Sequence, residues 1–215
     1  MGVYFISYRI HGSAPDYDTL AKHITNLATT SPSHPFDNTW IIASKNNVSD
    51  IKADLEKTGF QSTDKLLILQ LTDLKDDPIF DQLNIDERAK EILDHKPNSF
   101  VKTFRGDLFD DEKQLVFAVS CDHQESNTDD IEKALVGWAD RCAKVTTSTW
   151  VLLCKDGDFE RLCERVTNIG GRKFSGLVAQ LNRGFPSAQG PRIRLLGKAS
   201  TDRAKVTAFE KSLKG

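Results

Sequence analysis

The chain has 215 residues, 39% hydrophobic and 28% charged, enough to bury one large core or two small ones. Its formal net charge of −2 excludes a uniformly basic protein, and no apolar run approaches membrane-spanning length. The opening MGVYFISYRI is apolar but short and has no basic leader, so the expectation is a soluble, cytoplasmic protein that does not engage a membrane.

The charge is unevenly spread. Between Asp73 and Glu112 twelve acids stand against six bases, whereas between Arg161 and Gly215 twelve bases stand against three acids. A basic end beside an acidic centre is the asymmetry of a polyanion-binding face, or of two regions that neutralise each other in the fold. The four cysteines, Cys121, Cys142, Cys154 and Cys163, form no CxxC pair and sit among apolar neighbours, which predicts reduced core residues.

In chain order, VYFISYRI at 3–10 is β-rich and opens as a strand. A helix follows over DYDTLAKHITNLATT, with Tyr17, Leu20, Ile24 and Leu27 at helical spacing. The two prolines of SPSHPFDN allow at most a short edge strand and a turn. TWIIAS is a buried-type strand, and SDIKADLEKTG a short helix with Ser49 as N-cap and Gly59 as its stop. DKLLILQLT is another buried strand. The acidic segment after it carries one helix, NIDERAKEILDH, for which Asn84 and Glu87 make a capping-box pattern.

The chain then repeats itself. Sliding it by 110 residues lays Thr39 on Thr149, Trp40 on Trp150, Lys45 on Lys155 and Gln70 on Gln180. With a three-residue allowance, FISYRI falls on FAVSCDH, so that Ser7 meets Ser120 and Arg9 meets Asp122. The second copy reads as strand 115–121, helix 128–142, strand 149–154, helix 158–168 and strand 176–182. PRIRLLGK is an extra strand whose free edge suits pairing with a second copy of the chain, and DRAKVTAFEKSLKG is a short basic helix or a frayed tail.

A β-α-β-β-α-β order predicts an α+β fold of two tandem ferredoxin-like (βαββαβ) repeats. Each would have helices on one face of an antiparallel sheet. The bare faces would then pack together as an intramolecular pseudo-dimer. The expected organisation is repeat 1 over 1–72, an acidic linker with a helix over 73–113 running around the outside, and repeat 2 with its extra strand and basic tail over 114–215.

The run VYFISYRI…DYDTLAKHI…HPFDNTWIIAS…STDKLLILQLT resembles the small SinR-like bacterial proteins, which group with the VapD toxins and the small nuclease subunit of CRISPR spacer acquisition. Repeat 1 matches over about 3–72, and repeat 2 more weakly through FAVSCD and STWVLL. The resemblance implies a ferredoxin-like fold, RNA or DNA as partner through its phosphates, and a role in antiviral defence or toxin–antitoxin function. In active members the aspartate ending the first strand is paired across a dimer axis to hold a divalent ion, Mg²⁺ or Mn²⁺. Such an ion prefers carboxylate oxygens and polarises phosphate.

This sequence departs at that point: Arg9 replaces the family aspartate in repeat 1, while repeat 2 keeps Asp122, followed by His123. Two outcomes stay open. Arg9 and Asp122 could form a salt bridge across the axis, or Arg9 could take a phosphate while Asp122, helped by His123, holds a metal and acts in catalysis. A nucleic-acid-facing patch is expected from Arg9 with Arg172, Lys173, Arg183, Arg192 and Arg194, the first pair of these last five following the glycine turn of NIGGRKFSG. The leading expectation is a nucleic-acid-binding protein with a degenerate nuclease site. Alternatives are an active metal-dependent endonuclease using Asp122 and an adaptor that binds a protein instead. Trp40, Trp138 and Trp150 are expected to pack in the core, and His23, His34 and His95 to stand alone.

Overall fold

The computed structural model describes residues 1–71, 80–94, 114–122, 128–155, 159–170, 174–181 and 192–213. The first half runs β1 (Gly2–Arg9), α1 (Tyr17–Leu27), β2 (Ser33–Phe36), β3 (Thr39–Ser44), α2 (Val48–Glu56), β4 (Lys65–Gln70), β5 (Phe80–Leu83) and α3 (Glu87–Leu93). The second runs β6 (Gln114–Cys121), α4 (Thr128–Val136), β7 (Arg141–Lys144), β8 (Thr149–Lys155), α5 (Phe159–Gly170), β9 (Ser175–Leu181), β10 (Ile193–Gly197), α6 (Lys198–Thr201) and α7 (Arg203–Leu213).

Each half builds one antiparallel sheet of five strands, in the orders β2-β3-β1-β4-β5 and β7-β8-β6-β9-β10. The two orders are the same when the halves are superposed in chain sequence. The register repeats as well: Ile6 pairs with Trp40 and Ser7 with Thr39, just as Val119 pairs with Trp150 and Ser120 with Thr149. The doubled Thr-Trp motif is thus the same strand position used twice.

Period-2 alternation divides each strand between two cores. In the first half Tyr4, Ile6, Tyr8, Trp40, Ile42, Leu66 and Ile68 turn to the helix-covered face with Leu20, Ile24, Ile51 and Leu55. In the second Phe117, Val119, Cys121, Trp150 and Leu152 do so with Ile131, Leu135, Leu162 and Val166. The intervening residues of both sheets join a single cluster between them: Val3, Phe5, Ile41, Leu67 and Leu69 meet Val116, Ala118, Val151, Leu177 and Ala179. Burial of these two apolar faces against each other is the largest force joining the halves.

Within this apolar layer lies a patch of hydroxyls. Ser7 bonds Thr149 at 2.8 Å, Thr39 bonds Ser120 at 2.8 Å, and Ser120 bonds Thr149 at 3.0 Å. All four are fully buried. The first two contacts are the same contact seen from opposite halves, so the relating axis passes between them. Asn38 Nδ2 donates to Ser148 Oγ at 3.0 Å, joining the positions just before Thr39 and Thr149.

The segment expected to be an outside linker differs from that expectation. Its described part adds β5 to the β4 edge, and α3 sends Ala89, Ile92 and Leu93 into the core between the sheets, against β7 and β8. The tail does the reciprocal: β10 extends the β9 edge, and α7 crosses to β2 and β3 with Phe209 buried. Lys205 of α7 donates to the Pro35 carbonyl at 2.9 Å. Each half therefore ends in a strand and a helix, and each helix covers an edge of the other half. Ser200 and Ser212 also donate to carbonyls in this tail, whose described part forms the helix α7.

Three local expectations change. The N-cap of α2 is Asn47, accepting from Asp50 N at 2.9 Å, not Ser49. The cap of α3 is Asp86, while Asn84 has φ 53° and its amide reaches the Asp64 carbonyl at 2.9 Å. The helix foreseen over 128–142 ends at Val136, and 141–144 form β7, which the sequence reading did not separate from the helix. Gly59, at φ 102°, ends α2 as expected, and Gly197 is required at its own turn, where a Cβ would stand 2.0 Å from the Phe174 carbonyl oxygen. All four cysteines are buried and free, and burial pushes the Cys142 and Cys154 thiols up to about 11 and about 12, so both stay protonated. Among the described residues no helix is long and apolar enough to cross a membrane.

The hydroxyl patch predicts a measurable cost. Thr149→Val keeps shape but strips the partner shared by Ser7 and Ser120, and should lower unfolding free energy by about 1–3 kcal/mol in urea titrations. Thr39→Val with Ser120→Ala should cost less than the two single changes summed, because the pair is removed together. Strict additivity would show that the contact carries no coupling.

Candidate functional site

At the C-terminal end of β1, where the halves meet, lies a cavity of about 590 Å³ lined by Tyr8, Arg9, Ile10, Tyr17, His34, Asp37, Asn38 and Thr147. Five pieces of chain supply it: the end of β1, the start of α1, β2 with His34, the β2–β3 turn, and from the second half the β7–β8 turn carrying Thr147. Residues 37 and 147 are equivalent under the 110-residue shift, so the cavity sits close to the axis relating the halves.

Alternation decides what β1 contributes. Ser7 turns into the layer between the sheets and Tyr8 into the helix-covered core, where it is 2% exposed. Its phenol donates to the Asp37 carbonyl at 2.9 Å and accepts from Trp40 Nε1 at 3.3 Å. Burial pushes the Tyr8 hydroxyl up to about 12 against the opposing bond from Trp40, so it remains a neutral donor. Arg9, one residue on, lies half-buried at the strand end. Among the described residues no acid forms an ion pair with its guanidinium and no acceptor is bonded to it. A partly desolvated cation without a counter-charge is costly unless a ligand supplies one.

Aromatic surface surrounds this cation. Tyr17 opens α1 with 57% of its surface exposed, its ring centroid 6.2 Å from that of Tyr8. Of the four residues at helical spacing in α1, Leu20 and Ile24 are buried and Leu27 packs partly buried against the same core, whereas Tyr17, in the first turn, is exposed. His34 stacks on Trp40 with centroids 4.0 Å apart and planes 9° apart. It is therefore not the isolated histidine expected from sequence. Desolvation on that ring face holds the imidazole below its ordinary 6.5; Asp37 opposes the shift and Lys205 assists it.

The equivalent place in the second half is chemically different. Cys121 stands for Tyr8, Asp122 for Arg9, Thr128 for Tyr17 and Lys144 for His34. Lys144 lies over Trp150 at 5.2 Å from the ring centroid and is paired with Glu132 at 2.7 Å. With Cys121 in place of tyrosine, Trp150 Nε1 is left buried without a hydrogen-bond partner, whereas Trp40 has Tyr8. Trp40 and Trp150 both belong to the core, and Trp138 packs partly buried against it, as expected.

Asp122 is half-buried just beyond β6, its backbone N–H donating to the Ser175 carbonyl at 2.9 Å. Among the described residues no ion pair joins it to Arg9, so the salt bridge across the axis is not formed. Among the described residues the donors do not fit a divalent ion shared between halves: one side offers a carboxylate and the other a guanidinium, and no group of three or more His, Cys, Asp or Glu side chains comes together.

Of the expected basic patch, Arg192 is exposed and its carbonyl holds Gln180 N at 2.8 Å. Arg194 is engaged: Nη2 reaches Glu160 Oε1 at 2.8 Å, Nη1 bonds Oε2, and the guanidinium lies over the Phe159 ring. His123, Arg172, Lys173 and Arg183 lie outside the described residues. Of the expected residues that are described, Arg9 lines this cavity and Asp122, Arg192 and Arg194 do not. Tyr8, Tyr17, His34, Asp37, Asn38 and Thr147 were not foreseen. Only the aromatic–basic composition of SYRI hinted at them. Comparison with protein-family models finds no match, and comparison with curated proteins finds none either.

The depressed His34 gives a pH prediction. The folded chain binds fewer protons at this ring than the unfolded one, so its contribution to stability is complete above 6.5 and is lost as pH falls through the folded-state value. In urea titrations at about pH 5 and about pH 7.5, His34→Gln should lose less stability on acidification than the parent chain. An equal loss in both would show that His34 does not titrate differently on folding.

Proposed function

We propose that this chain is a nucleic-acid-binding protein of a prokaryotic defence or toxin–antitoxin type. In this reading it is a fused pseudo-dimer of two ferredoxin-like repeats that holds phosphate where its relatives by resemblance hold a metal. The β1-α1-β2-β3-α2-β4 order with β1 flanked by β3 and β4, repeated in the second half, supports the ferredoxin-like assignment. The observation that carries the functional reading is Arg9. It is a half-buried residue whose guanidinium has no acid partner among the described residues, and it lines a cavity at the junction of the halves. A guanidinium presents a planar fork of donors that matches phosphate oxygens, and desolvation strengthens the attraction.

The roles follow from chemistry. Arg9 neutralises and orients one phosphate. Tyr8, locked by Asp37 and Trp40, fixes the strand end from which Arg9 projects. The hydroxyl patch beneath holds the two halves in register, so the cavity is preformed rather than assembled on binding. Arg192 adds exposed positive charge elsewhere on the surface.

Labelled single- and double-stranded RNA and DNA, titrated at low salt with Mg²⁺, with Mn²⁺ and with EDTA, test this. Binding should survive EDTA and weaken about tenfold or more between about 50 and 200 mM salt. Arg9→Ala should reduce affinity and flatten the salt dependence by about one unit of slope. Metal-dependent cleavage that vanishes in Asp122→Ala would instead establish an endonuclease. Absence of binding to every probe at low salt would point to a protein partner.

A further inference from the structure

We propose that the cavity at the end of β1 receives one unpaired nucleotide of a single-stranded nucleic acid, its phosphate on Arg9 and its base against Tyr17 and His34. This rests on the nucleic-acid reading above and names the form of ligand the site takes. A phosphate-reading surface alone needs cations on a convex or grooved face, and a cavity lined by aromatic rings is not part of that requirement. Here the cation stands inside a concave space of about 590 Å³, within the range of sites that hold a single small ligand unit.

The rings around it are poorly explained by packing. Tyr17 is a large aromatic with 57% of its surface exposed, placed in the first turn of α1 and lining the cavity. His34 has one face occupied by Trp40 and lines the same space. Flat rings beside a guanidinium that has no acid partner among the described residues are the elements that hold an unstacked base and its phosphate together, and they tolerate any base because every base has a π-face. A base inside a duplex is already stacked on both sides and cannot enter such a space without leaving the helix.

Broken symmetry limits the number of sites. The axis that repeats the fold would repeat the cavity, but the second half has Cys121, Asp122, Thr128 and Lys144 at the positions of Tyr8, Arg9, Tyr17 and His34. The cation is exchanged for an acid, the exposed ring is gone, and Lys144 is held by Glu132. One nucleotide-receiving site per chain follows.

Fluorescence anisotropy with oligonucleotides of about ten nucleotides, as RNA, as DNA and as the corresponding duplexes, decides the matter. Single strands should bind more tightly than duplexes, at one strand per chain by calorimetry. Tyr17→Ala should weaken single-strand binding about tenfold without changing the salt slope, and Tyr17→Phe should restore it, because the ring alone stacks. Arg9→Ala should instead change the slope. Tyr17 is exposed, so its variants should melt at the parental temperature, which verifies that they are folded. Equal affinity for single strands and duplexes, with Tyr17→Ala unchanged, overturns the nucleotide site and leaves phosphate binding standing. A free nucleoside monophosphate binding as tightly as the oligomer overturns the polymer as ligand. No binding of any probe at low salt overturns both readings.

Discussion

Each half of this protein forms a sheet whose helices cover only one face, and the remaining faces find their cover in each other. Phe5, Ile41 and Leu67 on one side and Ala118, Val151 and Leu177 on the other are buried only because the partner sheet is present. Among the described residues, that face is covered by the opposite sheet and by the helices the other half lends it. The rest of the molecule follows from this constraint: the reciprocal placement of α3 and α7, the position of the β2–β3 and β7–β8 turns beside one another, and the cavity between them.

An apolar interface alone would tolerate sliding, since hydrophobic burial has no direction. The hydroxyls of Ser7, Thr39, Ser120 and Thr149 supply direction. In a layer without water each must find a partner, and only one register of the two sheets satisfies all four. The patch lies two residues before Arg9 on β1 and two before Asp122 on β6. The element that aligns the halves is therefore close to strand ends of opposite charge, Arg9 in one half and Asp122 in the other.

Divergence around a preserved axis explains the site. The core positions repeat well enough that Trp40 and Trp150 occupy the same register, yet the strand ends do not. Arg9 closes β1 where Asp122 follows β6, so the cleft at the junction of the halves carries a cation on one side and its equivalent position an acid. Tyr8, Tyr17 and His34 then make that cleft aromatic on one side only. Packing keeps the core of the two halves alike, while the residues at the strand ends are free to differ.

The amino-acid sequence by itself determined most of the α and β elements of both halves, though not β5, β7 or α6, together with the 110-residue repeat, the cysteines and tryptophans as core, and the contrast of Arg9 with Asp122 at equivalent strand ends. These are legible because alternation, helical spacing and turn residues are local signals. It misjudged β7, read as the end of a helix, because four residues of strand carry too little periodicity. It misjudged the acidic segment and the tail, because α3 and α7 bury their apolar residues against the opposite half, and local sequence does not say which surface will receive them. The grouping of Tyr17, His34, Asp37 and Thr147 around Arg9 was decided by tertiary structure alone. These residues lie on separate elements and in two halves of the chain, and only the packing of one bare sheet face on the other brings their ends together.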